Sequence, residues 1–425
     1  MNTETLSRSS TAAEQQAPRV WGSDGVNRIP AWIYSDEELF AREMETFHFG
    51  DTWNFVALEA EIPDNDSFRR TFVGTKSVLV TRDAQGQISV LENRCAHRGA
   101  PVKWEQRGSA NKLTCPYHQW SYNLAGSLQG IAFMKGQPKP NPGMPDDFDR
   151  KQHGMRRLRT TVRGGAIWAT FSDSTVPFEE YVGPEVLEFV DRAFNGQKMR
   201  LLGYSRQMIP CNWKLYFENA RDPYHATLLH TFFTTFGLFR ADAHTRAIPG
   251  GGGKHEVTYS WFDAKAGERN AELAKEIQGI KTDLKLNDME TVRPRTEFGD
   301  GKIGTLEVFP SMVLQTHVNT LAVRHILPKT TQSTELSWIY FGYESDDEEL
   351  RRLRLKQGNL TGPAGYVSLD DSEVLKQMQP VVDNCPESVQ VVEMHGREHI
   401  GISETSVSES MIRAFYTFYR KAMKL

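Results

Sequence analysis

A chain of 425 residues exceeds what one hydrophobic core usually organises, and its 39% hydrophobic, 11% aromatic and 24% charged composition excludes disorder over most of its length. The 50 basic and 54 acidic residues leave a formal charge of -4, without the basic excess of nucleic-acid binders, and the least charged run, Gly304 to Val323, still carries Glu307, Gln315, His317 and Asn319, which makes it a poor membrane span. The expectation is a soluble protein of two domains that contacts neither nucleic acid nor membrane, and the polar stretch Met1 to Pro18, lacking an apolar core or cleavage site, reads as a loose arm of a cytoplasmic protein.

In chain order, Ser35 to Phe47 places Leu39, Phe40, Met44 and Phe47 at helical spacing behind an acidic first turn. From Trp53 to Phe171 the texture changes to short alternating runs such as Ser77 to Thr81 and Ile88 to Leu91, split by turn residues, which predicts an all-β unit. Beyond it, helical segments (Phe178 to Phe194, Trp213 to Leu229, Glu348 to Asn359, Val407 to Met423) alternate with strand-like runs around Leu201, Leu306 and Leu336, so the second unit is α+β. Gly250 to Gly253, within the polar stretch Ala241 to Lys254, reads as a flexible loop. We divide the chain into an N-terminal arm and helix (1–44), a β-unit (45–172) and an α+β unit (173–425).

Four cysteines are too few for a disulfide scaffold. Two of them belong to a repeated pattern: Cys95-Ala96-His97, then 17 residues, then Cys115-Pro116-Tyr117-His118, so each of two short loops offers one thiolate and one imidazole. That inventory suits a Rieske [2Fe-2S] centre, in which two Cys hold one iron and two His the other. A Cys2His2 zinc site competes, although its signature is a close Cys pair and a distant His pair, as does plain burial. Cys211 and Cys385 have no partner motif and read as buried thiols.

A second constellation lies in Asn212 to His230, where Asp222, His225 and His230 form an Asp-x2-His-x4-His array. Two imidazoles and one carboxylate on a single face, with open positions opposite, make the facial triad of non-haem Fe(II) oxygenases. The carboxylate is sought in Ser368 to Gln379: on a helix there, Asp371 shares a stripe with Val374, Leu375 and Met378 and points inward, whereas Asp370 shares one with Glu373 and Gln377. A buried carboxylate needs a partner, which a metal would supply; a helix cap or surface position is the plainer alternative for Asp371. Asp222 before Pro223 suits an N-cap, and the same geometry puts its carboxylate one turn before His225, where it could orient that ring. His225 and His230, five residues apart, stand about 140° from facing each other on a regular helix, so the helix must distort or end between them.

The boxes NRCAHRG (Asn93 to Gly99) and CPYHQWSYNLAGSLQG (Cys115 to Gly130), followed by the Glu218-Asn219, Asp222 and His225 pattern and a late Leu-Asp-Asp helix, resemble the large subunit of Rieske ring-hydroxylating non-haem iron oxygenases along essentially the whole chain. The stretch Trp213 to Leu238 is similar to the branch acting on aromatic carboxylates, such as terephthalate, salicylate and anthranilate oxygenases. The resemblance implies an α+β protein with an N-terminal all-β Rieske domain (45–172), a helix-grip catalytic domain (173–425) built on a curved antiparallel sheet, and an arm and helix (1–44) packed on the latter. It implies Cys95, His97, Cys115 and His118 as cluster ligands, His225, His230 and Asp371 as Fe(II) ligands, and Asp222 as the bridge to a Rieske histidine, His118, of a neighbouring subunit in a head-to-tail trimer. O2 is then the co-substrate, a ferredoxin or flavin reductase the electron donor drawing on NAD(P)H, and a small β subunit in an α3β3 assembly, or none in α3, a further partner.

For the substrate's carboxylate the candidates are Arg324, alternating with Ala322 and Ile326, and Arg413 in the apolar C-terminal helix, since a guanidinium in apolar company needs an anion; a structural salt bridge is the alternative for either. Asn219 could hydrogen-bond solvent or substrate, or be a structural amide. Phe232, Phe233, Phe236 and Phe239 could wall an aromatic pocket or simply pack a core. The expected function is a terminal oxygenase that hydroxylates or cis-dihydroxylates a benzoate-, anthranilate-, salicylate- or phthalate-type acid. A Rieske redox carrier with a ligand-binding domain is the rival, and indole-acetic or sulfonated acids are alternative substrates.

Overall fold

The computed structural model describes residues 19–137, 142–238, 243–261, 284–298 and 302–425. Two antiparallel seven-stranded sheets dominate it. The first runs, edge to edge, through Asn54–Leu58, Ala166–Thr170, Arg157–Arg163, Ile88–Glu92, Lys76–Arg82, Ser67–Val73 and Arg107–Ser109. Its apolar alternation (Val78 and Val80 against Val90 and Ile167) closes a small core of its own. Three short strands, Leu113–Thr114, Ser121–Tyr122 and Leu128–Gly130, form a separate sheet that carries the second Cys-His loop.

The second large sheet runs through Met199–Ile209, Ser333–Tyr343, Thr320–Thr330, Met312–His317, Ile303–Val308, His255–Trp261 and His244–Gly250. Because successive side chains point to opposite faces, its strands feed two cores. Val313, Ala322, Ile326, Leu336 and Trp338 face the helices Trp213–Ala220 and Ser410–Met423, together with Ile29 to Leu39 of the N-terminal region. Leu314, Leu321, Val323, Ile339 and Phe341 face Phe178–Val182 and Pro184–Ala193, and this second core continues into Trp53, Phe55 and Trp168 of the first sheet.

The expected strands around Leu201, Leu306 and Leu336 are present. The expected helices form with altered ends. Phe178 to Phe194 is broken at Gly183, whose φ of +85 no helix accommodates. The N-terminal helix, Glu37–Glu43, is capped by Asp36 and continues as a π-turn, Met44–His48. The C-terminal helix begins at Ser410.

Gly250 to Gly253 is a correction. It is the end of a strand and a 3-10 turn, and a Cβ on Gly253 (φ +98) would stand 2.3 Å from the Ala414 carbonyl oxygen. Gly253 thus serves close approach to the C-terminal helix rather than flexibility; Ala241 and Asp242 of the same stretch, like the arm Met1 to Pro18, lie outside the described residues. Among the described residues no helix is long and apolar enough to cross a membrane.

Candidate metal centres and active site

The two Cys-His loops are built alike. In the first, the Cys95 N–H donates to the Ala100 carbonyl and the Gly99 N–H to that of Cys95; in the second, the Cys115 N–H donates to Trp120 and the Gln119 N–H to Cys115. In both, the residue four after the cysteine is left-handed, Gly99 at φ +77 and Gln119 at φ +59. Such tight loops turn the thiols inward, where Cys95 and Cys115 are each 2% exposed, and leave His97 exposed and His118 half-buried.

The two imidazoles face one another with ring centroids 4.6 Å apart, and Trp120 stacks on His97 at 4.9 Å. Cys95 Sγ lies 3.1 Å from the Tyr122 hydroxyl, which also accepts the Ala96 N–H. Burial pushes the Cys115 thiol up, so a thiolate there needs a compensating cation. Two inner sulfurs and two outer imidazoles are the donor set of a Rieske cluster.

The second centre depends on a break in the chain. Trp213–Ala220 ends at Arg221, and Pro223–Leu229 restarts behind Asp222, whose Oδ1 caps the Tyr224 N–H at 2.8 Å. The helix then stops at Leu229, and His230 adopts φ -85, ψ 68. That break brings the rings of His225 and His230 to 5.2 Å between centroids. On the far side, Ser368–Asn384 buries Asp371 on a stripe with Leu375, Gln379 and Val382; Val374, expected on that stripe, is 41% exposed.

Asp371 Oδ1 stands 3.4 Å from His225 Nε2 and 3.3 Å from His230 Nε2, and the three side chains each bring a ligand atom within 4.8 Å of the others. Asn219 Nδ2 donates to Asp371 Oδ1 at 3.1 Å. Asp222 Oδ2 lies 3.3 Å from His225 Nδ1, and Asp370 Oδ2 3.3 Å from His230 Nδ1. Burial opposes a charge on either imidazole, but the flanking carboxylates prevail, raising His230 and pushing His225 up to about 10. Burial likewise opposes the Asp371 anion, yet the two imidazoles hold its carboxyl well below the usual range. Carboxylates that favour positive charge on these rings would equally favour a divalent iron in its place, with the two rings neutral and their Nε2 atoms, both near Asp371, as donors.

The centre opens on a cavity of about 110 Å³, bounded by Leu238, Thr258, Ile303, His317, Arg324 and Val367 among others. Arg324 is 4% exposed, donates from Nη1 to the Tyr216 hydroxyl at 3.0 Å and from Nη2 to Gln315, and covers the Trp338 ring at 4.9 Å. It makes no ion pair among the described residues, and its Nε lacks a hydrogen-bond acceptor.

Arg413 is a correction. All three of its guanidinium nitrogens donate to main-chain carbonyls, of His399, Val392 and Met394, and it borders no part of the cavity. Its burial reflects the tying of the 392–399 segment to the C-terminal helix. Phe232, Phe233 and Phe236 pack with Tyr366, Leu360 and Val292 rather than on the cavity, and Phe239 lies outside the described residues. Cys211 is a buried thiol pushed up to about 12 by burial; Cys385 is half-buried at a helix end.

Tyr216, Gln315, His317 and Asp370 were not singled out from the sequence. For Asp370 the signal was its adjacency to Asp371, since consecutive helical residues diverge by about 100° and can reach two sides of one ring.

Comparison with known proteins identifies both domains. A model of the Rieske [2Fe-2S] domain matches residues 52–141, and one of the ring hydroxylating alpha subunit catalytic domain matches residues 182–425. The chain is 42% identical to the large oxygenase component of salicylate 5-hydroxylase from Ralstonia sp, over 95% of this chain and 96% of that one, and 42% identical to the anthranilate 1,2-dioxygenase large subunit of Burkholderia cepacia, over 94% of each. Naphthalene 1,2-dioxygenase with indole bound shares the fold, with a TM-score of 0.75 at 19% identity over 94% of this chain and 95% of that one. The zinc reading of the first centre gives way to a Rieske cluster, and the chain belongs to the family of Rieske ring-hydroxylating oxygenase alpha subunits, terminal oxygenases that carry a [2Fe-2S] cluster and a mononuclear iron and use O2.

Proposed function

We propose that this chain hydroxylates a single-ring aromatic carboxylate held by Arg324, and the observation that carries the reading is a buried guanidinium that makes no ion pair among the described residues and lines the cavity beside the His225, His230 and Asp371 triad. An isolated buried cation is costly, and a carboxylate brought by the substrate would offset that cost with charge-assisted hydrogen bonds. Tyr216 and Gln315 fix the guanidinium plane in advance, so little side-chain freedom is lost on binding. The cavity, at about 110 Å³, is on the order of the ~150 Å³ that accepts a benzene ring. The salicylate and anthranilate relatives act, by name, on single-ring acids.

Cys95, His97, Cys115 and His118 would hold the cluster, and His225, His230 and Asp371 the iron, within domains spanning 45–172 and 173–425 behind an arm and helix, 1–44. When bound, the cluster supplies stored electrons and the iron supplies O2 activation. The chain's own residues bind and orient. Arg324 would grip the acid and set the ring's distance from the triad; Asn219, as donor to Asp371, keeps that carboxylate turned toward the two imidazoles. Asp222 caps its helix and lies 3.3 Å from His225 Nδ1 while remaining 20% exposed, which leaves it able to meet His118 of a neighbouring copy. We place the chain in the cytoplasm, as a head-to-tail trimer with or without a β subunit, served by a ferredoxin or flavin reductase; the exposure of His97 and the half-burial of His118 support a contact between copies.

The test is coupled O2 uptake by the iron-loaded protein with benzoate, salicylate and anthranilate, against benzamide as a neutral control. Expected is product-coupled uptake with one or more acids, little with the amide, and a rise in KM of about 10–100-fold for Arg324→Gln, the equivalent of one charge-assisted bond. Equal turnover of acid and amide would overturn the reading.

A further inference from the structure

Each imidazole of the triad has a carboxylate oxygen near both of its nitrogens, and the contact that meets hydrogen-bond geometry is that of His230 Nδ1 with Asp370. His225 lies between Asp222 at Nδ1 and Asp371 at Nε2, at 3.3 and 3.4 Å; His230 lies between Asp370 at Nδ1 and Asp371 at Nε2, both at 3.3 Å. The arrangement is close to symmetric, yet its two outer carboxylates come from unrelated places. Asp222 is local to His225, three residues before it and capping the same helix. Asp370 reaches His230 from the first turn of Ser368–Asn384, 140 residues away in sequence.

His230 needs such a contact more than His225 does. His225 sits inside a helix, where backbone geometry limits its rotamers. His230 sits between two short helices with non-helical dihedrals, 2% exposed, so its ring plane is set by what surrounds it. Asp370 is not engaged by the polar neighbours on its own helix: Glu373 pairs with Gln377 at 2.8 Å and with Lys376 at 3.2 Å. Among the described residues its side chain's polar contact is with His230 Nδ1. A neutral imidazole carries one N–H; a carboxylate at Nδ1 fixes the proton there, orients the ring, and leaves the Nε2 lone pair for a metal.

We infer that Asp370 is a positioning residue for the mononuclear iron, holding His230 in its Nδ1–H form with Nε2 turned toward Asp371. The inference rests on the reading of His230 as an iron ligand. One turn of one helix then supplies two distinct carboxylate functions: Asp371 toward the metal and Asp370 behind the ring that binds it.

The test uses the full chain with its Rieske cluster intact, stripped of mononuclear iron and titrated with Fe(II). Iron bound per chain, the EPR spectrum of the nitric-oxide-treated protein, and the Rieske absorption as an internal check of folding are measured for wild type, Asp370→Ala, Asp370→Asn and His230→Ala. Asp370→Ala is expected to weaken Fe(II) binding about 10–100-fold and alter the EPR line shape, with the Rieske spectrum unchanged. Asp370→Asn, near in size and able to accept at Oδ1, should recover part of the affinity and remains informative if the alanine variant does not fold. His230→Ala should lose the mononuclear iron.

Wild-type affinity and line shape in both Asp370 variants, alongside iron loss in His230→Ala, would overturn the role of Asp370 and leave the ligand assignment standing. Iron retained by His230→Ala would overturn the ligand assignment itself. A fall in thermal stability without any change in affinity or spectrum would show Asp370 to be merely structural and also overturn the inference.

Discussion

Glu256 and Glu307 face each other across adjacent strands, both fully buried. Arg221 gives Glu307 hydrogen bonds from Nε at 3.0 Å and Nη2 at 2.5 Å, while Glu256 makes no ion pair among the described residues. Burial, then the neighbouring Glu307, push Glu256 from 4.5 up to about 8. Between those values the folded chain holds a proton that the unfolded chain has released, so this group makes stability fall as pH rises from about 4.5 to about 8. Glu307, pushed up to about 7 by burial, acts in the same direction. Glu256→Gln, which cannot ionise, should match wild type near pH 5 and melt roughly 5 °C higher at pH 8. Parallel melting curves across that range would show that Glu256 stays charged. The sequence could not show this pair, because each glutamate occupies an ordinary strand position and only the register of the two strands brings them together. Asp371 was legible for the opposite reason: it shares a helical stripe with Leu375, so its inward direction is local information. Asp370, which the same argument places on a stripe with Glu373 and Gln377, gave no sign of its partner, since a helical wheel cannot know that His230, from a remote segment, lies on that side.

At the scale of elements, the break between Trp213–Ala220 and Pro223–Leu229 decides where the iron motif points. Arg221 occupies the break, its guanidinium between the rings of Phe217 and Phe415 at 4.2 and 4.6 Å, with further bonds to the Gly253 and Lys254 carbonyls. The glycine turn is therefore a clamp on the kink. Gly253→Ala places a Cβ 2.3 Å from the Ala414 oxygen in a left-handed residue, and should cost about 1–3 kcal/mol of stability. Gly196→Ala, also left-handed at φ +81 but in open space, should cost about 1 kcal/mol from backbone strain alone. Thermal unfolding compares the two, and mononuclear iron content should fall only in Gly253→Ala, since only that turn touches Arg221. Equal losses in both would mean that the turn does not hold the kink. The sequence read Trp213 to Leu229 as one helix because its apolar spacing runs across Arg221; the proline cap at Asp222 was visible, but not the ring sandwich that makes burying an arginine there favourable. A glycine run likewise looks flexible until the element it packs against is known.

At the scale of the molecule, chain length and the change of texture near Phe171 made two units legible, and the motif order made both metal centres legible. Their shared core was not, because Trp53 and Trp168 meet Phe178 and the second sheet through contacts that no local pattern records. That continuous core fixes one sheet against the other, so a cluster that must approach an iron by moving within its own chain would have to break buried apolar packing. A neighbouring copy offers the alternative, provided the exposed edge of the cluster loops meets the exposed side of Asp222. Subunit mixing separates the two routes. Cys95→Ser should remove the cluster and spare the iron, and His225→Ala should do the reverse, so neither variant alone turns over substrate. Co-expressed in mixed assemblies, they regain activity only if electrons cross between copies, because every chain lacks one centre. If the copies join head to tail as proposed, about a quarter of the junctions in a random equal mixture unite an intact cluster with an intact iron, which sets the expected recovery near a quarter of the wild-type rate. No recovery, in assemblies shown to contain both variants, would place the transfer within a single chain and require the shared core to yield.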